Sequence, residues 1–270
     1  MAKTFKIKKT MIWQLISLVL LIALAASIFT NGFRFGASTV DGTGTTTTGT
    51  TGTATGATSG TPLKLLADDI VKGNKNAPLT IFVYSDPSCP YCAAAAGNPT
   101  YGAYMKSRDP TWEAPIPGII KNYVDTGKVK LVFRFFPGHG LGEESMKYML
   151  CANEQGKFWE LHDIVFNAQD DLNPLVQEGD MVKVNAKLDE LAKSANIDTA
   201  KVAACLASNK YASKLTNDMT SGKNAKLYDI SDKTITGISG TPAFVINDKL
   251  VSGAVSFTVM KSIIDSELAK

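Results

Sequence analysis

Two cysteines separated by a proline and a tyrosine, Cys89-Pro90-Tyr91-Cys92, are the residues of this chain best suited to chemistry. A pair so close closes too small a loop for a structural staple to gain much chain entropy, but it suits a dithiol that opens and closes by thiol–disulfide exchange. The remaining cysteines, Cys151 and Cys205, are 54 positions apart. A bond between them would restrict the unfolded chain far more, so the two pairs point to different jobs. Cys205 shares an i, i+3, i+4 apolar face with Val202 and Leu206, and Cys151 follows Met146, Met149 and Leu150, so a structural Cys151–Cys205 disulfide between two helices is expected. The competing use of Cys89 and Cys92 is half of a zinc site, completed by Cys151 and Cys205 or by His139 and His162. Zinc ribbons carry a second close pair of ligands, and none of these four has a suitable neighbour. The expectation is therefore no metal and no cofactor.

Chemistry at Cys89 depends on what positions it. Leu79 to Ser85, LTIFVYS, is apolar, β-branched and aromatic, and reads as a buried strand that runs through Asp86, Pro87 and Ser88 into the motif. Pro90 fits the first position of a helix, and Ala93 to Ala96 continue it, which leaves Cys89 at the N-cap. Free backbone N–H groups and the helix dipole favour a thiolate there, lowering a thiol pKa from about 8.5 into a range of about 3.5 to 7.5. Cys89 is expected to be the reactive thiol and Cys92, a turn further in, the shielded resolving one.

Further elements follow from patterning. Val129 to Phe136 reads as a second buried strand; Ala243 to Ile246 and Leu250 to Val251 form a hairpin around Asn247-Asp248-Lys249. Met260, Ile263, Ile264 and Leu268 place one face of a helix over 257–269 on the sheet. Helical patterns at 142–155, 157–168, 186–195, 198–208 and 210–222 make an inserted helical domain. His139 follows the second strand in a Gly-rich loop, where packing is the expected role, and His162 lies on a Phe158, Leu161, Val165 face and reads as structural.

In order along the chain, GNKNAPLTIFVYSDPSCPYC (73–92), TGKVKLVFRFFP (126–137), CANEQGKFWELHDIVF (151–166), GISGTPAFVIN (237–247) and the final amphipathic helix resemble the DsbA-like branch of the thioredoxin superfamily, over residues 63 to 270. The resemblance implies an α/β fold, a thioredoxin-like central sheet flanked by helices, with a helical insertion at about 138–230. It implies a cis proline at Thr241-Pro242, beside the C-x-x-C, whose preceding backbone pairs with an extended substrate. It implies disulfide introduction into cysteine-containing exported proteins, with Cys89 and Cys92 catalytic, and a quinone-linked membrane reoxidase of DsbB or vitamin K epoxide reductase type. The same site run in reverse would be a reductase or isomerase; a redox-inactive peptide-binding or zinc-binding exported module is the remaining class.

Three departures stand out. Val83 occupies the position six before the first cysteine, where the family often has a buried glutamate, so deprotonation of Cys92 is left to water, substrate or a nearby group such as Asp86. The helix after Cys92 is broken at Gly97-Asn98-Pro99, and the stretch to Gly118, with Pro110, Pro115 and Pro117, reads as an insertion whose Tyr101, Tyr104 and Trp112 either line a peptide groove or cover the core. The motif dipeptide, Pro90-Tyr91, is that of glutaredoxins, so redox poise cannot be copied from one family member.

Residues 11–29 are 19 uncharged, mostly apolar residues, about the length that spans a bilayer. Lys3, Lys6, Lys8 and Lys9 precede them, which holds residues 1–10 on the cytoplasmic side as a basic flank and makes the segment a signal-anchor. A cleaved signal peptide, with small residues at Ala23, Ala25 and Ala26, is the rival, and either exports the rest. Residues 30–62 are a Thr/Gly-rich linker with too little apolar surface to fold. The net charge of +3 rests largely on the N-terminal lysines, which gives nucleic-acid binding no electrostatic support.

Overall fold

A computed structural model describes residues 60–139 and 142–270. The basic flank, the apolar run 11–29 and the linker through residue 59 lie outside the described residues. Among the described residues no helix is long and apolar enough to cross a membrane.

The core is a seven-stranded sheet made of β1 (Ile70–Lys72), β2 (Leu79–Ser85), β3 (Val129–Phe135), β4 (Leu227–Asp229), β5 (Thr234–Thr236), β6 (Ala243–Ile246) and β7 (Lys249–Ser252), in the order β1-β3-β2-β6-β7-β4-β5. β2 lies parallel to β3 and antiparallel to β6, at the centre. Both faces of these strands are covered, which is why β2, β3 and β6 read as continuous apolar runs rather than as alternations. Ile81 and Val83 face one layer with Phe244 and Ile246; Phe82 and Tyr84 face the other with Val132 and Val245.

On the first layer, α1 (Pro90–Ala96) leaves the end of β2 and stops at Gly97, whose φ of +100° suits glycine. Asn98 then caps α2 (Pro99–Arg108) by accepting the Tyr101 N–H at 3.1 Å, with Pro99 at its first position. The expected break is thus a junction between two helices. α3 (Pro115–Ile119) runs into one wider, π-helical turn at Ile120–Val124 and packs with α10 (Phe257–Leu268) against the sheet. Trp112 belongs to this core: it is 4% exposed, and its Nε1 donates to the Ala254 carbonyl at 2.9 Å.

The helical insertion comprises α4 (Glu143–Asn153), α5 (Phe158–Asn167), α6 (Gln169–Glu178), α7 (Met181–Ser194), α8 (Thr199–Ser208) and α9 (Ala212–Lys223). It ends before 230, because β4 and β5, absent from the sequence reading, occupy 227–236. α6 was also unexpected. It carries Pro174 in its interior, a residue that normally ends a helix. α7 begins at Met181 rather than 186, capped by Asp180, which accepts the Lys183 N–H at 3.1 Å. In the β6–β7 hairpin the turn is Asn247-Asp248 alone, and Lys249 pairs with Ile246. Asn247 takes the positive φ, +57°, that a two-residue turn requires.

Contact with the domain also starts earlier than residue 63. Gly60 N–H donates to Asp248 Oδ2 at 2.8 Å and Thr61 N–H to the Lys226 carbonyl at 2.6 Å, so residues 60 and 61, expected in the linker, belong to the folded unit.

Cys151 and Cys205 form a disulfide joining α4 to α8. With both sulfurs so bonded, neither is a thiolate ligand for a zinc site with Cys89 and Cys92. Closing a loop of this length restricts the unfolded chain by up to about 4 kcal/mol in the chain-entropy picture. The double substitution Cys151→Ala/Cys205→Ala is expected to lower the denaturation midpoint accordingly while the Cys89 thiol titrates as before. Mass mapping that finds two free thiols at these positions in the native protein would contradict the bond.

Candidate active site

β2 ends at Ser85, and the chain turns through Asp86, Pro87 and Ser88 to place Cys89 at the head of α1 with the extended backbone (φ −81°, ψ 120°) of an N-cap. Asp86 builds the turn. Its Oδ1 accepts the Ser88 N–H at 2.8 Å and the Ser88 hydroxyl at 2.7 Å; its Oδ2 accepts the His139 N–H at 2.8 Å; and its carbonyl accepts the Cys89 N–H at 3.0 Å. The carboxylate is therefore engaged by Ser88 and His139. Asp86, named beside water and substrate as a group that could deprotonate Cys92, is instead the organiser of the loop.

Cys89 and Cys92 are both free thiols and both buried. The Cys89 thiol is lowered to about 6: its hydrogen bond with the Cys92 thiol outweighs the cost of burial, and the Cys92 backbone, Thr241 and the charge of His139 add to it. Cys92 is held well above the ordinary thiol range, first by desolvation and then by its hydrogen bond with Cys89. The separation of the two values divides the roles: at neutral pH one sulfur is an anion that attacks and leaves well, and the other keeps its proton. Small opposing contributions at Cys92 come from the Asp86 backbone and the Ser85 hydroxyl. Ser85 is thus the polar side chain next to the resolving thiol. Val83, two residues back on the same face, packs with Ala95, Ile119 and Phe244 in an apolar cluster and offers no proton acceptor.

Across from the dithiol, Thr241-Pro242 is a cis peptide at the start of β6. The Cys89 thiol donates to the Thr241 carbonyl at 3.5 Å, which puts this backbone in reach of anything bonded to Cys89. The Thr241 hydroxyl, buried and without another partner, also favours the thiolate. His139, read from sequence as a packing residue, is exposed and close enough for its charge to act on Cys89.

Tyr91 projects outward, 46% exposed, and meets Tyr104 edge-on at 6.5 Å between ring centroids; Arg108 donates to the Tyr104 hydroxyl at 3.1 Å. Between α1 and α2 lies an apolar cavity of about 430 Å³ lined by Pro90, Tyr91, Ala94, Tyr101, Tyr104 and Met105. Of the three aromatic residues expected either to line a peptide groove or to cover the core, Trp112 covers the core, Tyr104 lines this cavity, and Tyr101 both lines it and packs against the core.

Two residues with no signal in the sequence complete the site. Gln169 Nε2 donates to the Pro87 carbonyl at 2.6 Å and the Cys89 carbonyl at 3.1 Å, and Asn173 Nδ2 donates to the Ser88 carbonyl at 3.1 Å. Both come from α6, some 80 residues away in sequence, so only the tertiary fold reveals them.

His162 is buried among Phe133, Phe158, Trp159 and Phe166, as its apolar helical face implied. Burial pushes its pKa down, against a 2.8 Å contact of Nδ1 with Asp163. The native fold therefore resists the proton that the unfolded chain accepts at about pH 6.5. Stability is expected to be insensitive to this group above about pH 6.5 and to fall as the pH drops from there toward the lowered native value. Denaturant midpoints of wild type and His162→Leu between pH 7.5 and 5 check this; parallel slopes would show that His162 does not set the dependence.

A buried C-x-x-C dithiol between a strand end and a helix, facing a cis proline across the sheet, defines a dithiol protein of the thioredoxin fold. The chain belongs to the thioredoxin family, whose sequence profile matches residues 66–107 and 111–266. It is similar to the Na(+)/H(+) antiporter NhaA 3 of Salinispora tropica, 26% identical over 204 residues that make up 74% of this chain and 25% of the antiporter, so it spans only a quarter of that protein. It is similar to disulfide bond formation protein D of Bacillus subtilis, 25% identical over 210 residues, covering 73% of this chain and 76% of that one. Among solved structures, alpha-DsbA1 of Wolbachia pipientis shares its fold with a TM-score of 0.58 at 22% identity, over 77% of this chain and 94% of the other.

Proposed function

We propose that this chain is an extracytoplasmic thiol:disulfide oxidoreductase that introduces disulfides into cysteine-containing exported proteins. The observation that carries the reading is the unequal pair: a Cys89 thiol lowered to about 6 beside a Cys92 thiol raised by burial. In the oxidised state a substrate thiolate attacks Cys89 Sγ, the Cys89–Cys92 bond breaks, and Cys92 leaves and takes up a proton. A second substrate thiolate then attacks the substrate sulfur of the mixed disulfide, and Cys89 departs as a thiolate. Two electrons pass from substrate to protein, and the substrate gains a disulfide. A thiol acidic enough to be anionic at neutral pH stabilises the dithiol product, which favours the oxidising direction. Similarity to disulfide bond formation protein D supports the same activity.

The Thr241 carbonyl, close to Cys89 Sγ, is suited to pair with an extended substrate backbone, and the Tyr91–Tyr104 cavity to receive an apolar side chain near the substrate cysteine. Residues 11–29 serve as a signal-anchor that holds the catalytic domain outside the cytoplasm, supported by the length of the run and the lysines before it. A quinone-linked membrane protein of DsbB or vitamin K epoxide reductase type reoxidises the dithiol.

The test is equilibration of the purified protein with glutathione buffers, with alkylation and mass measurement of the Cys89–Cys92 pair. An oxidase is expected to be half-reduced at a potential well above that of thioredoxin, which lies at about −270 mV. A potential at or below thioredoxin's would reverse the direction of the chemistry to that of a reductase.

A further inference from the structure

The loop that delivers Cys89 exposes three consecutive carbonyls, those of Pro87, Ser88 and Cys89, and all three are held by the helical insertion. Gln169 spends both of its amide hydrogens on the outer two, at 2.6 and 3.1 Å, and Asn173, one turn further along α6, takes the middle one at 3.1 Å. Gln169 is completely buried, and its Oε1 has no partner. That orphan fixes the side chain's orientation: turning the amide over would set Oε1 against two carbonyl oxygens. A buried acceptor left unpaired is costly to the fold, so the arrangement favours loop geometry over local satisfaction of Gln169.

We propose that Gln169 and Asn173 are positioning residues that hold the loop carrying Cys89 in its reactive geometry, and so make the reactivity of the dithiol depend on the helical insertion. The inference rests on the reading of Cys89 as the attacking sulfur. A carbonyl oxygen is the negative end of a dipole. While the three carbonyls point into α6, their negative ends are turned to amide N–H donors. Released, those of Pro87 and Ser88 are free to rotate toward the sulfur, where they oppose the thiolate, while the Cys89 carbonyl remains held by the Ala93 N–H at 3.0 Å. The loop's N–H groups give no substitute restraint on the Pro87 and Ser88 carbonyls, since Ser88 and Cys89 N–H are already spent on Asp86.

The experiment titrates Cys89 in the purified full chain, by thiolate absorbance and by the pH profile of iodoacetamide alkylation, in wild type, Gln169→Leu, Gln169→Glu and Asn173→Ala. Asn173 is only half-buried, so its variant decides the question if the Gln169 variants fail to fold. Both Gln169 variants are expected to raise the midpoint by about one unit or more, which at pH 6 takes the thiolate fraction from about one half to about one tenth. Asn173→Ala is expected to raise it by about half a unit. Gln155→Leu, which breaks a comparable amide contact with Asp198 elsewhere in the insertion, is expected to leave the midpoint unchanged. Unchanged or lowered midpoints in the Gln169 and Asn173 variants, with only their melting temperatures reduced, would overturn the inference while leaving the proposed function intact. A wild-type midpoint near the ordinary thiol value would overturn both.

Discussion

Cys92→Ala is expected to turn the protein into a covalent trap. Cys89 loses the Cys92 thiol hydrogen bond that most lowers its pKa but keeps the contributions of the residue-92 backbone, Thr241 and His139; its thiolate attacks a disulfide in a substrate protein and forms a mixed disulfide, and the sulfur that would displace it is gone. Adducts that dithiothreitol removes should accumulate on non-reducing gels, while oxidation of a reduced peptide falls to the uncatalysed rate because no internal disulfide remains to be passed on. Cys89→Ala should form essentially none, since burial keeps the Cys92 thiol protonated and shielded. Trapping through Cys92 in the Cys89→Ala protein would exchange the two roles.

The second large effect is expected at Asp69. Arg134, near the end of β3, is buried with Asp69, each side chain about 1% exposed. Its Nε and one terminal nitrogen donate to the two carboxylate oxygens at 2.8 Å each, and the guanidinium also reaches the Tyr84 hydroxyl at 3.0 Å and the Lys64 carbonyl at 2.7 Å. Removing one partner of a buried pair strands the other charge, at about 3–5 kcal/mol. Asp69→Ala should therefore lose a large share of the domain's stability, whereas Asp69→Leu combined with Arg134→Met should lose much less. Urea unfolding of the three proteins measures it. A loss below about 1 kcal/mol for Asp69→Ala would mean that water reaches the guanidinium and that the pair behaves like a surface one.

How much of this was legible in the sequence follows from where each signal resides. β2, β3, the β6–β7 hairpin and α10 are long or strongly patterned, and burial on both faces leaves runs such as LTIFVYS that admit few readings. Cys89, Cys92, Thr241 and Pro242 are marked by residue type and spacing. α6 was hidden by Pro174, whose lost hydrogen bond is offset by packing that no local pattern reports, and α2 by the Gly97-Asn98-Pro99 break that in fact caps it. β1, β4 and β5 have three residues each, too few to show a period. The polar frame of the site was illegible for a different reason. Gln169 and Asn173 look like ordinary helix-surface amides until the fold brings them to the Cys89 loop, and Asp86 looks like a base until its carboxylate is seen to be fully engaged.

A maker of disulfides that itself contains one would, on the proposed function, be among its own clients. On the proposed function, a newly exported copy reaches its destination with Cys151 and Cys205 unpaired, and the bond that ties α4 to α8 has to come from the oxidising machinery already there. α4 and α8 belong to the same helical insertion that supplies α6. On that reading existing copies complete the stabilising bond of new ones, so the rate at which it forms rises with the number already mature. Where oxidising capacity is scarce, such a system recovers after a lag and then accelerates.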